Sequence, residues 1–217
     1  LLSLLIAVPI GVCAAIYMVE YAKRGNKLVK LVRLTAETLQ GIPSIVYGIF
    51  GYVCFNLALH CGFSMLAGAL TLSIMILPLI LRTTEEALMA VPDSYREGSF
   101  GLGAGKLRTV FRIVLPSAMP GVLAGVILAI GRIVGESAAL IYTSGSGTGN
   151  LSFIKNGAFS LAAPLFQSTR TLSVHMYALM SEGLYTDQAH ATAVILMVLV
   201  IGLNALSSFA AKKLTKQ

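Results

Sequence analysis

The chain has 217 residues, of which 56% are hydrophobic and only 12% are charged. Soluble domains carry about 25% charged residues, so this composition excludes an ordinary soluble domain and predicts an all-helical integral membrane protein. The net charge of +7 does not indicate nucleic-acid binding. The basic residues lie at the ends of apolar runs, and the sequence has neither Trp nor a basic patch interleaved with aromatic residues.

Five apolar runs are long enough to span a membrane, which takes roughly 20 residues. They lie at 1–19, 42–59, 65–81, 119–141 and 189–211. We interpret 1–217 as one transmembrane domain. Because residue 1 already lies within an apolar run, we expect the N-terminal part of the natural protein to be missing here. The three cysteines lack metal-ligand spacing and are interpreted as small apolar fillers, and we predict no metal and no cofactor.

The basic residues predict the orientation of the chain. Of the 16 Lys and Arg residues, five follow the first run, five lie between the third and fourth runs, and three follow the fifth. The positive-inside rule therefore places the first connection, 82–116 and the C-terminal tail in the cytoplasm. Residues 142–188 then form an outer-face loop, in which 171–183 have the pattern of a short amphipathic helix. Residues 20–40 predict an interfacial helix that leads into the second span.

Residues 82–116 interrupt the apolar runs with nine charged side chains, and we call them the polar island. A connection between two spans needs only a few residues, so a charged segment of this length indicates a function. Thr83 or Thr84 is expected to cap a first short helix. Glu85 and Glu86 would lie in its opening turn, where acidic side chains complement the helix dipole.

The second half of the polar island predicts two further helical segments. Asp93 or Ser94 is expected to cap a helix that ends in a tight turn permitted by Gly103. A third segment, 106–115, would lead back to the membrane at Pro116. Short helices with both signs of charge and an exposed aromatic side chain suit docking better than catalysis, since no two side chains here look like a nucleophile and its base.

The spacing of the polar island resembles the EAA loop of ABC-importer permeases, Glu-Ala-Ala-x3-Gly-x9-Ile-x-Leu-Pro. The matching residues are Glu97, Gly98, Ser99, Gly103, Ile113, Leu115 and Pro116, with Gly98 and Ser99 in place of the two alanines. The resemblance implies a type I (MetI-like) importer permease with five visible transmembrane helices and cytoplasmic coupling helices. It also implies that the loop sits in a groove of an ATP-binding subunit, which Tyr95 and Phe100 would contact.

Several segments resemble more closely the phosphate-importer permeases of the PstA type. They are Gly41-Ile-Pro-Ser-Ile-Val-Tyr-Gly48, Gly131-Arg-Ile-Val-Gly-Glu136, 82–87, 91–94 and 170–177. This resemblance implies a non-catalytic subunit of the bacterial inner membrane that moves phosphate by alternating access. The implied partners are a homologous PstC-type permease in a heterodimer, two ATP-binding subunits and a periplasmic phosphate-binding protein.

Arg132 and Glu136 stand out because they lie four residues apart inside the fourth predicted span and would share one helix face. A charge at mid-bilayer costs roughly 2.5–3.5 kcal/mol. The two residues either form a self-neutralising pair that locks the bundle, or Glu136 holds Arg132 toward a translocation path. A guanidinium suits phosphate oxygens. Arg82 either adds a second positive charge along that path or snorkels at the interface.

Other functions remain open at this stage. The chain could serve another ABC importer, for sulfate, molybdate or an organic solute. An ion-driven secondary transporter is disfavoured, because the sequence shows no inverted repeat and Glu136 is the only acidic residue deep within a span. A membrane-bound enzyme is disfavoured because the sequence shows no metal-ligand or nucleophile constellation.

Overall fold

Helices make up most of the chain, as the composition predicts. The computed structural model describes residues 1–23, 25–147, 154–155, 158–159, 163–183 and 185–215. Its α-helices are α1 (Leu2–Ile16), α2 (Lys27–Gln40), α3 (Ser44–Gly51), α4 (Met65–Met89), α5 (Asp93–Gly101), α6 (Lys106–Thr109), α7 (Leu115–Gly135), α8 (Ala138–Thr143), α9 (Leu172–Glu182) and α10 (Thr186–Thr215).

Shorter elements complete the fold. π-Helical turns extend α1 (Tyr17–Tyr21), extend α3 (Tyr52–Ala58) and join α6 to α7 (Val110–Val114). A 3-10 turn occupies Ala163–Phe166. Two short strands, β1 (Ile154–Lys155) and β2 (Ala158–Phe159), form an antiparallel pair in which Ile154 faces Phe159.

Four helices of the described chain are long and apolar enough to cross a membrane. They are Leu2–Tyr21, Met65–Met89, Lys106–Gly135 and Thr186–Leu206. The bent pair Lys27–Gln40 and Ser44–Ala58 makes a fifth if it counts as one span. The predicted second span therefore differs from a single straight helix, because Ser44–Ala58 alone is too short to cross roughly 30 Å of hydrocarbon.

The prediction that a new helix begins at Thr83 or Thr84 is wrong. Helix α4 continues without a break from Met65 to Met89, so neither threonine caps it. The Thr83 hydroxyl instead donates to the Leu79 carbonyl at 2.9 Å, and Thr84 is fully buried. With no Gly or Pro between Pro78 and Pro92, nothing in the sequence ends the helix earlier.

The fourth predicted span also has different limits. The third segment of the polar island and the apolar run that follows form one 30-residue helix, Lys106–Gly135. Pro116 lies inside this helix, directly after the π-helical turn and α7's first residue, and local π geometry is one of the ways a helix accommodates such a break. The helix ends at Gly135, before Glu136, and α8 begins at Ala138.

Helix α9 agrees closely with the predicted helix at 171–183. The Thr171 hydroxyl caps its start by accepting the backbone N–H of Val174 at 3.3 Å. Gly183 ends it in the left-handed conformation, with φ of 68°, which glycine adopts without steric cost.

The chain divides into two compact units. Unit one comprises Leu1–Ser3, Ile42–Met75 and Gly131–Leu203, and unit two comprises Leu4–Gly41, Ile76–Ile130 and Asn204–Gln217. In unit one, α3 packs directly on α8, and a Cβ at Gly48 would lie 2.9 Å from the Ala139 Cα.

Unit two has a core that joins the first helix to both halves of the polar island. Its central cluster contains Ala15 and Ile16 from α1, with Leu88, Val91, Val110, Val114 and Ala118. Gly121 and Gly125 of α7 bring that helix close to α4, since a Cβ at Gly121 would lie 2.5 Å from the Ala87 Cβ and one at Gly125 would meet Thr83. The glycine spacing at 121–125 therefore serves packing within the chain.

Candidate functional site

Helix α5 and the turn after it form the segment that matches the EAA loop. The helix runs from Asp93 to Gly101, and Pro92 precedes it without a side-chain cap, so the capping expected of Asp93 or Ser94 is absent. Gly103 has φ of +80°, a conformation that costs other residues roughly 1–2 kcal/mol. The predicted helix and the glycine turn are thus both present.

The two small residues of the motif have different surroundings. A Cβ at Gly98 would meet no atom within 4 Å, so the alanine of the motif would fit there. Ser99 is buried, and its hydroxyl hydrogen-bonds the Thr109 hydroxyl at 2.8 Å. This contact joins α5 to α6 across the glycine turn.

Four exposed side chains of α5 and the turn after it form what we call the coupling surface, defined as Tyr95, Glu97, Phe100 and Leu102. Tyr95 is 52% exposed, Phe100 48% and Leu102 91%, and Glu97 is also exposed. Large apolar side chains in such a cluster mark an interaction site more often than a bare surface. Leu102 lies at a variable position of the motif, so sequence reasoning did not single it out.

The last three motif residues lie in the helix that follows. Ile113 and Leu115 are partly buried, whereas Pro116 is exposed. Leu115 packs against the central cluster of unit two. These residues therefore contribute to the base of the loop, and they lie outside the coupling surface.

Arg96 ties the coupling surface to the rest of unit two. Its guanidinium donates two hydrogen bonds to the Glu20 carboxylate, at 3.0 and 2.7 Å. It also donates to the carbonyls of Leu88 and Val91 and to the Asp93 carboxylate. These five bonds equal the number of N–H groups that a guanidinium carries.

The burial of this pair makes it a structural anchor. Only 15% of the Arg96 side chain and 8% of the Glu20 side chain are exposed. One guanidinium thereby connects the start of α5, the end of α4 and the π-helical end of the first span. Lys106 adds a further link, with its ammonium 5.1 Å from the centre of the Tyr21 ring. Sequence reasoning missed Glu20 because it lies 76 residues from Arg96.

A second ion pair joins α2 to α4. The Arg33 guanidinium donates to the Glu85 carboxylate at 2.6 Å from Nε, and only 7% of the Glu85 side chain is exposed. This pairing explains why α4 carries a buried acidic residue beyond its apolar run, since a buried charge needs a partner.

Arg132 and Glu136 do not share a helix face, so that expectation is wrong. Arg132 lies in the last turn of α7, whereas Glu136 follows the end of the helix. The Glu136 carboxylate accepts the backbone N–H of Ala139 at 3.1 Å, and its carbonyl accepts the Ser173 hydroxyl at 2.6 Å. Within the described residues, none of the four ion pairs involves Arg132.

The surroundings of Arg132 are polar on at least one side. Its charge lies close enough to the Tyr47 phenol, which is buried in α3, to act on it electrostatically. Because none of the ion pairs among the described residues joins Arg132 to Glu136, the two side chains do not form a self-neutralising pair. Glu136 instead stabilises the start of α8. Arg132 is half-buried in the last turn of an apolar helix.

Arg82 has a different setting. It is exposed and pairs with Glu86, one turn further along α4, at 3.0 Å. It belongs to unit two, whereas Arg132 and Glu136 belong to unit one. An exposed i, i+4 pair of this kind contributes little to stability.

The sequence places this arrangement in a known family. Residues 7–216 match the family described as binding-protein-dependent transport system inner membrane component. The chain belongs to this family. It is therefore a multi-pass membrane permease of the ABC-importer type, and permeases of this family work with a separate ATPase and a substrate-binding protein.

Individual proteins with similar sequences support the same family assignment. The probable ABC transporter permease protein YqgI of Bacillus subtilis (strain 168) is 37% identical over 223 residues, which cover 99% of this chain and 76% of that protein. The phosphate transport system permease protein PstA 1 of Mycobacterium tuberculosis (strain CDC 1551 / Oshkosh) is 40% identical over 140 residues, which cover 64% of this chain and 45% of that protein. PstA of Yersinia pestis is 40% identical over 139 residues, which cover 64% of this chain and 46% of that protein. The matches thus span less than half the length of these PstA relatives.

Solved structures confirm the MetI-like fold of the permease. The inward-facing MetNI methionine ABC transporter matches with a TM-score of 0.71 at 19% identity, covering 99% of this chain and 88% of that one. A bacterial ABC transporter involved in the import of alginate matches with a TM-score of 0.68 at 16% identity, covering 99% and 75%.

Proposed function

We propose that this permease is the transmembrane subunit of an ATP-driven importer that moves inorganic phosphate into the cytoplasm by alternating access. ATP hydrolysis would take place in two separate ATPase subunits, and the chain itself would be non-catalytic. A PstC-type permease would complete the membrane pair, and a periplasmic phosphate-binding protein would deliver the substrate. The C-terminus would lie in the cytoplasm, as the distribution of Lys and Arg indicates.

The observation that carries the coupling role is the anchored coupling surface. Exposed aromatic side chains lie on a short helix, and the buried Arg96 guanidinium fixes that helix to the ends of two spans. A force applied by an ATPase to α5 would therefore reach both spans through rigid contacts. A bare connecting loop would lack both the anchor and the exposed rings.

The substrate assignment depends on Arg132 and on the relatives. A guanidinium in an apolar helix with no ion-pair partner among the described residues can donate two parallel hydrogen bonds to an oxyanion. The PstA proteins, which are named as phosphate permeases, support phosphate over other oxyanions. Importers of sulfate, molybdate or an organic solute are the alternative, because an Arg residue alone does not distinguish oxyanions.

Uptake by the reconstituted complex tests the proposal. Vesicles with wild-type permease, ATPase and binding protein should accumulate radiolabelled phosphate with ATP, and excess sulfate or molybdate should not compete. In Arg132→Ala, phosphate uptake should fall at least tenfold while the ATPase remains bound. Undiminished uptake in that variant would remove Arg132 from the path, and uptake of sulfate in place of phosphate would reassign the substrate.

A further inference from the structure

A charged cavity of about 620 Å³ lies in unit two beside the start of α5. Its walls come from the π-helical end of the first span, the connection that follows, the first turns of α2, the end of α4 and the start of α5. Ligand pockets in proteins have volumes of about 300–1,000 Å³. Neither the coupling surface nor Arg132 lines this cavity, so the proposed function leaves it unexplained.

The charge of the cavity wall favours an anion. Among the residues that the structure describes, the basic lining residues are Lys23, Lys30, Arg33 and Arg96 and the acidic ones are Glu20 and Asp93, so this described part of the lining carries a net charge of +2. Glu85, which pairs with Arg33, reduces the net charge of the cluster to +1. A phosphodiester headgroup carries one negative charge and would neutralise this cluster.

Two lysines are available to such an anion. Among the described residues, Arg33 and Arg96 are engaged with carboxylates, but Lys23 and Lys30 take part in no ion pair. Both lysines are exposed. They approach the cavity from two different elements, Lys30 from α2 and Lys23 from the connection before it.

The outer face of α2 indicates the source of the anion. Leu28, Leu31 and Leu34 are 58%, 63% and 62% exposed, and the helix buries its opposite face through Val29 and Ala36. A helix with exposed leucines beside a basic flank is typical of the membrane interface, where apolar side chains lie among acyl chains and Lys reaches the headgroups. Leu34 lies one turn along α2 from Lys30, so an acyl chain beside Leu34 would bring a headgroup to Lys30 at the edge of the cavity.

We propose that this cavity binds the phosphodiester headgroup of an anionic phospholipid, with Lys23 and Lys30 as its cationic contacts. The proposal depends on the membrane orientation given in the proposed function, but it does not depend on the transported substrate. Basic pockets at the cytoplasmic ends of membrane helices are suited to such headgroups. A bound lipid would connect α2 to the start of α5, so the lipid composition would affect how firmly the coupling helix is held.

Native mass spectrometry of the complete complex in detergent tests this inference. The complex is titrated with phosphatidylglycerol, with phosphatidylcholine and with inorganic phosphate. Wild-type complex should retain phosphatidylglycerol in preference to phosphatidylcholine, and Lys23→Gln/Lys30→Gln should retain it about 30-fold less tightly. Lys27→Gln is the matched control, because Lys27 is an exposed lysine of the same helix that does not line the cavity.

Each outcome decides the question. Equal retention of phosphatidylglycerol by the double variant and the wild type, or an equal loss in Lys27→Gln, would overturn the proposed site. Displacement of the lipid by millimolar inorganic phosphate would assign the cavity to free phosphate. If the double variant fails to assemble, Lys23→Arg/Lys30→Arg should assemble and bind the lipid, and failure to bind would refute the inference. Phosphate uptake does not enter this measurement, so its result is independent of the proposed transported substrate.

Discussion

Gly103 is the residue whose backbone conformation shapes the turn after α5. Its φ of +80° disfavours any side chain, although a Cβ there would meet no atom within 4 Å. Glycine is therefore required at position 103 for its backbone conformation, since a side chain would have enough space there. Because the turn sets the path of the chain between α5 and α6, a substitution that disturbs it should reduce both the stability of the protein and the proposed binding of the ATPase.

We expect Gly103→Ala to lower the free energy of unfolding by roughly 1 kcal/mol and to reduce ATPase co-purification. Gly101→Ala is the control, because Gly101 lies in the helix, lacks a positive φ and has open space around it. Thermal unfolding of the purified complex and the ratio of ATPase to permease measure the two effects. Equal behaviour of the two variants would contradict the role assigned to the turn.

Gly125 has a different requirement, since a Cβ at this position would collide with the Thr83 side chain. Gly125→Ala should push α7 away from α4 and cost roughly 1–3 kcal/mol, the usual range for overpacking. Gly135→Ala has open space and should cost little. The difference in melting temperature between the two variants measures this effect, and a Gly125→Ala protein as stable as wild type would show that the two helices are free to separate.

At the scale of elements, the interpretation depends on the Arg96 anchor between α5 and the ends of two spans. Removing one partner of a buried ion pair leaves the other charge without compensation, which typically costs 3–5 kcal/mol. Arg96→Ala and Glu20→Ala should therefore each destabilise the complex by about 3 kcal/mol, and Arg96→Lys should rescue only part of this, because an ammonium has three donors instead of five.

An exposed pair in the same unit provides the control for the anchor. Glu86 and Arg82 are 59% and 50% exposed at their side chains, so Glu86→Gln should change stability by less than about 1 kcal/mol. Thermal unfolding with a double-mutant cycle between Glu20 and Arg96 measures the coupling energy. Additive single effects in that cycle would mean that the two side chains act independently.

Local signals predicted some elements well and could not predict others. The amphipathic pattern at 171–183 is a local signal, and it located α9, whose ends the structure shows to be capped by Thr171 and by the left-handed Gly183. Thr83 and Thr84 satisfied the same capping rule, yet α4 passes through them. The contact that retains Glu85 in the helix comes from Arg33, 52 residues away, and a local rule contains no information on such partners.

At the candidate site, too, rules based on neighbouring residues could not predict how the charged residues are placed. The i, i+4 rule for Arg132 and Glu136 assumes a continuous helix, and the chain leaves the helix at Gly135. The EAA spacing did locate α5 and the glycine turn after it, because those features are local. Its anchor to Glu20 is a tertiary contact, and it became visible only in the fold.

At the scale of the whole molecule, the orientation in the membrane can be tested by labelling. Leu102 is 91% exposed on the coupling surface, and Met180 on α9 is 57% exposed. In a protein whose three native cysteines are replaced by serine or alanine, Leu102→Cys and Met180→Cys should each leave the fold intact. If the coupling surface is cytoplasmic and α9 lies outside, a membrane-impermeant maleimide added to intact cells should label only Met180→Cys.

The same two variants also report on the ATPase. In inverted vesicles the reagent should reach Leu102→Cys when the ATPase has been stripped off, and rebinding of the ATPase should protect it, because a large apolar side chain on a docking surface becomes buried in the complex. Labelling of Met180→Cys should be the same whether the ATPase is stripped off or rebound. Labelling of both cysteines from the same side would refute the orientation, since the coupling surface and α9 would then share one face of the membrane. Labelling from opposite sides without protection would keep the orientation and place the ATPase contact elsewhere.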